Sequence, residues 1–160
     1  MLSVLLMLGL VYGCDDITNP FADFSKRAEK AEEAGDMVVA AHWWTKAAEQ
    51  GDAQAQYNLG NKYADGEGVA EDDKQAVYWY TKAAEQGDAD AQTVLAYMHI
   101  DGEGVPEDVV KAHMWLNIAA ADNDDAKSIK RRIEQRMSPS QIEKAQEMAR
   151  ECVAKNYKGC

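Results

Sequence analysis

The sequence is poor in the residue patterns that carry enzymatic chemistry. Among its 160 residues are three Cys, three His, three Pro and two Phe. It contains no Cys-x-x-Cys pair, which argues against thiol redox catalysis and a structural zinc site. Ser-x-x-Lys and His-Glu-x-x-His do not occur, and Gly66 and Gly68 are not followed by the Lys-Ser/Thr of a phosphate-binding loop. We therefore expect no enzymatic activity, no cofactor and no metal site.

Basic residues are scarce over most of the chain. The formal net charge is −11, and residues 1–124 carry 8 Lys and Arg against 23 Asp and Glu. Residues 125–160 reverse the balance, with 9 Lys and Arg against 5 Asp and Glu. A nucleic acid needs clustered cations to neutralise its phosphates, so the composition argues against a nucleic-acid partner.

The longest apolar run lies at the N-terminus, at residues 2–11. A helix of that length rises only about 15 Å, half the thickness of a bilayer's hydrocarbon core, and suits the apolar part of a signal peptide. The segment Val11-Tyr12-Gly13-Cys14 resembles the lipobox of bacterial lipoproteins. This resemblance implies a signal peptide at 1–13, a lipid on Cys14, a membrane-proximal linker at 14–20, and membrane anchoring in the cell envelope, facing the periplasm. The alternative is a buried N-terminal helix with an incidental cysteine.

Internal repetition dominates the rest of the sequence. The heptapeptide Lys-Ala-Ala-Glu-Gln-Gly-Asp occurs at 46–52 and again at 82–88, and Asp-Gly-Glu-Gly-Val occurs at 65–69 and 101–105. Trp43, Trp79 and Trp115 keep the same spacing of 36 residues. A period of this length is typical of stacked supersecondary units, so we expect these tryptophans to lie in a shared core.

Each unit has the pattern of two helices. Ala55, Leu59 and Tyr63 recur at helical spacing, and the glycines that follow favour the end of a helix. The carboxylates of Asp72 and Asp73 suit the start of the second helix.

These motifs together resemble the Sel1-like repeat, a relative of the tetratricopeptide repeat. The resemblance covers units at 21–52, 53–88 and 89–124. It implies an all-α fold, a right-handed α-α superhelix (solenoid) of about four helix pairs, and a role in scaffolding protein assemblies. Residues 125–160 are predicted to form a capping helix pair, because Ser138 to Gln141 make a capping box with Pro139 at the first helical position.

A solenoid presents an extended surface lined by the first helix of each pair. The positions that face away from the predicted core of these helices are Gln54, Tyr57, Asn61, Asp90, Thr93 and Tyr97. Aromatic and amide groups among carboxylates suit a protein or peptide partner with basic residues, bound on the concave face. The alternative is that these are ordinary solvated positions.

Two cysteines remain near the C-terminus. Cys152 and Cys160 are an even pair, and the five residues between 155 and 159 can turn the chain back, so we expect a disulfide. The alternative is one buried and one exposed thiol. His42, His99 and His113 replace packing residues of the other repeats, and the acidic loops at 65–73 and 101–108 lack calcium-binding spacing, so neither set predicts a metal.

Two further functions are compatible with the sequence. Aromatic side chains can stack on sugars, which would allow peptidoglycan or other glycan binding. Cysteine-rich relatives of this repeat have been linked to β-lactam hydrolysis, but they carry paired cysteines in every repeat, and the repeats here contain none.

Overall fold

A computed structural model describes residues 20–160 of the chain, and it contains eight helices and no strand within that range. The helices are α1 (Pro20–Glu33), α2 (Met37–Glu49), α3 (Ala53–Asp65), α4 (Asp73–Ala84), α5 (Ala89–Asp101), α6 (Val109–Ala119), α7 (Asp124–Glu134) and α8 (Pro139–Ala154). From α1 to α7 each helix packs against the next in the chain. The all-α solenoid of four helix pairs is confirmed, and none of the helices in this range is both long and apolar enough to cross a membrane. The predicted signal peptide and Cys14 lie outside the described residues.

Aspartates are the N-cap residues of most of the helices. The carboxylates of Asp52 and Asp88 each accept a hydrogen bond from the backbone N–H three residues later, at 2.8 Å. Such caps satisfy an N–H group that has no partner within the helix. Asn123 caps α7, one residue before the position that the 36-residue period would give. The period therefore ends at this turn.

Glycines allow each long loop to approach the preceding repeat closely. Gly68 and Gly104 both have a positive φ. A Cβ atom on Gly68 would lie 1.9 Å from the carbonyl oxygen of Met37, and one on Gly104 would lie 2.5 Å from that of Asp73. Since no side chain fits there, the two Gly-Glu-Gly loops can rest against the first residues of α2 and α4.

The core is built differently from the prediction for the tryptophans. Trp115 is buried at 3% exposure, but Trp43 and Trp79 are only half-buried. The deeper position is the next residue along the second helix, which is Trp44 in the first pair and Tyr80 in the second. The three tryptophans do occupy equivalent positions in the repeats, as the period predicts, but the prediction that all three are buried in the core was wrong for Trp43 and Trp79.

One packing contact changes between repeats in a coupled way. The ring of Tyr80 packs so closely on Gly60 that a Cβ atom there would lie 2.6 Å from Cε1 of the ring. In the next repeat the equivalent pair is Ala96 and Leu116, both buried. The smaller Leu116 leaves room for the methyl group of Ala96, so the departure from glycine in the sequence is compensated within the core.

A buried cation joins the first two helix pairs. The ammonium group of Lys62 lies 2.7 Å from Glu32 and 2.8 Å from Glu67, and Glu32 also accepts from the indole N–H of Trp44 at 3.0 Å. Burial alone would lower the pKa of Lys62, but the hydrogen bonds to both carboxylates outweigh it, so the pKa is raised. The ammonium therefore stays charged and ties the loop after α3 to α1.

The C-terminal helices close the stack on α6. Helices α7 and α8 each pack against α6, and the predicted capping box of Ser138 and Gln141 is present at the start of α8. Cys152 and Cys160 form the predicted disulfide, with 5.5 Å between their Cα atoms. The bond turns the last residues of the chain back along the second-helix side of the molecule.

The Gly60–Tyr80 contact predicts a paired mutational effect. Gly60→Ala should lower the free energy of unfolding by about 1–3 kcal/mol, because the added methyl group would overlap the tyrosine ring. Adding Tyr80→Leu should recover part of this loss, since the double variant reproduces the Ala96–Leu116 pair. Urea denaturation of the parent, both single variants and the double variant measures the coupling; strictly additive effects would contradict the prediction.

Candidate protein-binding cleft

Four of the six predicted partner-binding residues line one cleft between α3, α5 and the start of α7. Tyr57, Asp90, Thr93 and Tyr97 meet there around a space of about 180 Å³. Three further residues complete the lining, namely Val94, Asn123 and Asp125. We call this the tyrosine cleft.

Gln54 and Asn61 lie outside the lining of the tyrosine cleft. The side-chain amide of Gln54 donates to Asn58 one turn later at 3.3 Å. The side-chain oxygen of Asn61 accepts from the hydroxyl of Tyr80 at 2.7 Å. Asn61 is therefore already engaged with the core, while Gln54 lies exposed on the same helix.

Thr93 forms part of the floor of the cleft. It is buried at 6% exposure, and its hydroxyl donates to the carbonyl oxygen of Ala89 at 2.7 Å. This back-bond within the helix leaves only the methyl surface of Thr93 for a ligand.

The coupled change in the core coincides with a change at position 97, on the surface. In the second repeat Tyr80 donates to Asn61, and burial raises the pKa of this phenol, so it stays protonated as a donor. In the third repeat Leu116 takes the place of Tyr80 and Tyr97 that of Asn61. Leu116 has no polar group to pair with Tyr97, and the Tyr97 side chain stands 40% exposed at the cleft.

The other tyrosine of the cleft is held by an aromatic contact. The rings of Tyr57 and Tyr80 lie 5.8 Å apart at an interplanar angle of 51°. Tyr57 is half-buried, so part of its ring is fixed by packing and part faces the cleft. An aromatic side chain fixed in this way loses little rotational freedom when a ligand binds.

The rim of the cleft is acidic. Asp90 accepts from the side-chain amide of Asn123 at 2.8 Å, which joins α5 to the start of α7. Asp125 is exposed and has no hydrogen-bond or ion-pair partner within residues 20–160, whereas the neighbouring Asp124 is bound by Lys127 at 2.7 Å. No Lys or Arg lines the cleft. The two rim carboxylates therefore suit a cationic group on a ligand.

Sequence reasoning missed Asn123 and Asp125. Asn123 is the N-cap of α7 and Asp125 lies in its first turn, and the repeat period places the start of this helix one residue too late. The signal that identifies them is local: an Asn that caps a helix is followed by two acidic residues.

The three histidines make separate contacts: His99 and His113 are buried, and His42 is exposed. His113 is fully buried, with Nε2 at 2.8 Å from Glu134, and His42 contacts the edge of Trp43. Burial lowers the pKa of His99, whose Nδ1 lies 3.4 Å from the carbonyl oxygen of Pro106. No group of three His, Cys, Asp or Glu arranged for a metal occurs within the described part of the chain.

Comparison with known proteins gives the context for this cleft. The sequence profile described as Sel1 repeat matches residues 29–52, 53–88 and 89–124. The match begins inside α1 and ends at the turn before α7, so it includes both helices that carry the cleft tyrosines. No curated protein is recognisably similar to the chain in sequence.

Solved structures share the architecture. Protein c5321, a protective antigen of uropathogenic Escherichia coli displaying an SLR fold, superposes with a TM-score of 0.78 at 29% identity, over 86% of this chain and 31% of the other. A Sel1 repeat protein from Oxalobacter formigenes superposes with a TM-score of 0.66 at 33% identity, over 69% of this chain and 48% of the other. The chain thus spans less than half the length of either. Helicobacter pylori cysteine rich protein B superposes with a TM-score of 0.55 at 24% identity, over 70% of this chain and 98% of the other. At this identity the likeness shows only a shared fold.

The environment of His99 predicts a pH effect on stability. Its pKa is lowered from 6.5 in the folded state, so the unfolded chain binds this proton more readily. Stability present above pH 6.5 is therefore lost as the pH falls through 6.5 towards the folded-state pKa. His99→Tyr, which restores the residue of the preceding repeat, should reduce the shift in urea midpoint between pH of about 7.5 and about 5.5. An unchanged shift in the variant would show that other groups cause it.

Proposed function

Because the chain belongs to the Sel1 repeat family, whose repeats generally mediate protein–protein interaction, we propose that it is a protein-binding scaffold that uses the tyrosine cleft. The observation that carries the proposal is the composition of this cleft. The packed ring of Tyr57 and the exposed ring of Tyr97 stand beside two carboxylates, and no Lys or Arg of the lining neutralises them. Tyrosines of this kind are enriched among the residues that contribute most to protein interfaces.

The chemistry of the cleft specifies the kind of partner. A Lys or Arg of the partner would pair with Asp90 and Asp125, and the aliphatic part of its side chain would lie along the rings of Tyr57 and Tyr97. An aromatic face also attracts a cation directly. We therefore propose a partner segment that carries a basic residue and that enters the cleft from the first-helix side of the solenoid.

We further propose that the scaffold is lipid-anchored in the bacterial cell envelope through Cys14, facing the periplasm. The lipobox-like segment at 11–14 supports this, and so does the Cys152–Cys160 disulfide, because such bonds persist in oxidising compartments outside the cytoplasm. Two or more acyl chains on the cysteine would hold the protein stably at the membrane surface.

Photo-crosslinking in intact cells tests the cleft. A photoreactive phenylalanine in place of Tyr97 should give a covalent adduct with a partner, while the same group at Val153, which is similarly exposed on α8, should not. Changing Asp90 and Asp125 together to Asn should reduce the adduct about tenfold, the equivalent of about 1.4 kcal/mol.

The matched control for this experiment removes two negative charges elsewhere. Glu143 and Glu147 are exposed on α8, and changing both to Gln should leave the adduct at position 97 unchanged. Equal adducts from positions 97 and 153, or equal losses in the two double variants, would refute a partner site at the tyrosine cleft.

Labelling tests the anchor. In a bacterial host with lipoprotein processing, the parent should incorporate radiolabelled palmitate and sediment with membranes. Cys14→Ser should abolish the label, whereas the paired variant Cys152→Ser/Cys160→Ser should retain it. Absence of label in the parent, or label that survives Cys14→Ser, would show that Cys14 is not the anchor.

A further inference from the structure

The three tryptophans of the repeat column differ in what covers them. The ring of Phe24 stacks on Trp43 with 5.6 Å between centroids, and the guanidinium of Arg27 lies 4.8 Å above the same indole. Trp115 is almost completely buried. Trp79 remains half-buried, and its indole N–H is enclosed without a hydrogen-bond partner among residues 20–160. The ring that contacts Trp79 is that of the exposed Tyr78, with 4.9 Å between centroids.

The tail of the chain, residues 155–160, docks at the end of the second repeat. Held by the Cys152–Cys160 disulfide, the tail places the ring of Tyr157 over Gly87, where a Cβ atom would lie 3.3 Å from Cε2 of the ring. The backbone N–H of Gly159 donates to the carboxylate of Glu85 at 3.0 Å. An aromatic ring and a following backbone N–H therefore dock on the turn that ends α4.

The same tail shields the second helix of the third repeat. Met114 borders a small cavity together with Gly159 and both half-cystines, and it is only 1% exposed. Its counterpart one repeat earlier is Tyr78, which is 49% exposed. Both α8 and the tail lie beside Met114, since Met148 and Glu151 of α8 border the same cavity.

Thirty-six residues earlier in the chain, the equivalent space is open. This Trp79 cleft, of about 260 Å³, lies between the end of α2 and α4 and is lined by Glu49, Gly51, Gln56, Tyr78, Trp79 and Lys82. Glu49 corresponds to Glu85, and Gly51 corresponds to Gly87. The residues that receive the tail at the end of the second repeat thus have counterparts at the end of the first, without an occupant in the described part of the chain.

Glu49 and the surface over Gly51 are the open parts of the Trp79 cleft. The carboxylate of Glu49 is exposed and has no hydrogen-bond or ion-pair partner within the described range. No atom lies within 4 Å of a Cβ atom built on Gly51, so the surface over this glycine can receive a ring. Gln56 is held from below, because its amide donates to Ala48 at 3.1 Å and its oxygen accepts from Gln86 at 2.8 Å. Gln56 is therefore held in place, whereas Glu49 and the surface over Gly51 are open to a ligand.

We propose that the Trp79 cleft is a second docking site, which binds a turn segment of a partner protein that presents an aromatic ring followed by an exposed backbone N–H. The ring would lie over Gly51 beside the indole of Trp79, and the N–H would donate to Glu49. The chain's own tail makes the equivalent contacts with Glu85 and Gly87, and the Cys152–Cys160 disulfide holds it there. The site lies apart from the tyrosine cleft and does not depend on it.

A synthetic copy of the tail is the direct probe. The nonapeptide Cys-Val-Ala-Lys-Asn-Tyr-Lys-Gly-Cys, identical to residues 152–160 and closed by its disulfide, should bind the purified full chain in a saturable manner, measured by fluorescence anisotropy of a labelled copy. It should also shift the indole N–H resonance of Trp79 in the nuclear magnetic resonance spectrum. At Glu85 and Gly87 the chain's own tail outcompetes the free peptide, because covalent attachment gives the tail a high effective concentration.

Matched variants separate docking from charge attraction. A peptide with Ala in place of Tyr has the same charge and should bind at least tenfold more weakly. Glu49→Lys in the protein should weaken binding at least tenfold, whereas Glu143→Lys, the same change at an exposed carboxylate of α8, should have little effect, as should Tyr97→Ala in the tyrosine cleft. Equal effects of the two lysine variants, dependence on Tyr97, or no saturable binding would overturn the proposal.

Discussion

The structure depends on how closely neighbouring helices approach at small side chains. Most of the buried apolar residues are alanines, and those at positions 40, 76 and 112 are fully buried at the 36-residue spacing. Alanine and glycine let backbones approach closely, and a few large residues, such as Trp44 and Leu59, fill the remaining space. Because there is little room to expand, a change in size at one contact requires an opposite change at its partner.

This constraint links the core to the candidate binding surface. The exchange of Gly60 and Tyr80 for Ala96 and Leu116 keeps the packed volume nearly constant. It also removes the hydroxyl that engages Asn61, so the residue in Asn61's place, Tyr97, is free to face solvent. The variation in the core thus goes together with a difference in the surface. Two tyrosines from adjacent repeats meet at one cleft although they occupy different repeat positions.

The two faces of the solenoid offer different chemistry. The first-helix face carries the tyrosine cleft with its carboxylates, whereas the second-helix face carries the Trp79 cleft and the tail. Sel1 repeats generally connect proteins, and two separate clefts would allow the chain to hold two segments at once. The loops that rest Gly68 and Gly104 against the preceding repeat fix the spacing between these clefts, since they leave no room for adjustment.

The sequence by itself determined the helices, their caps, the glycine turns and the repeat register, because each follows from contacts within a few residues or from the 36-residue recurrence. It also identified the first-helix positions of Tyr57, Asp90 and Tyr97, and it predicted the pairing of Cys152 with Cys160. Only the tertiary structure decided that Trp44 and Tyr80 lie deeper than Trp43 and Trp79, that Thr93 is inward-facing, and that Asn123 and Asp125 join the tyrosine cleft. Periodicity records which residues are equivalent, but burial depends on what packs above each copy. Helices α7 and α8 pack on α6, which carries the buried third copy, Trp115, whereas the second copy, Trp79, stays half-buried.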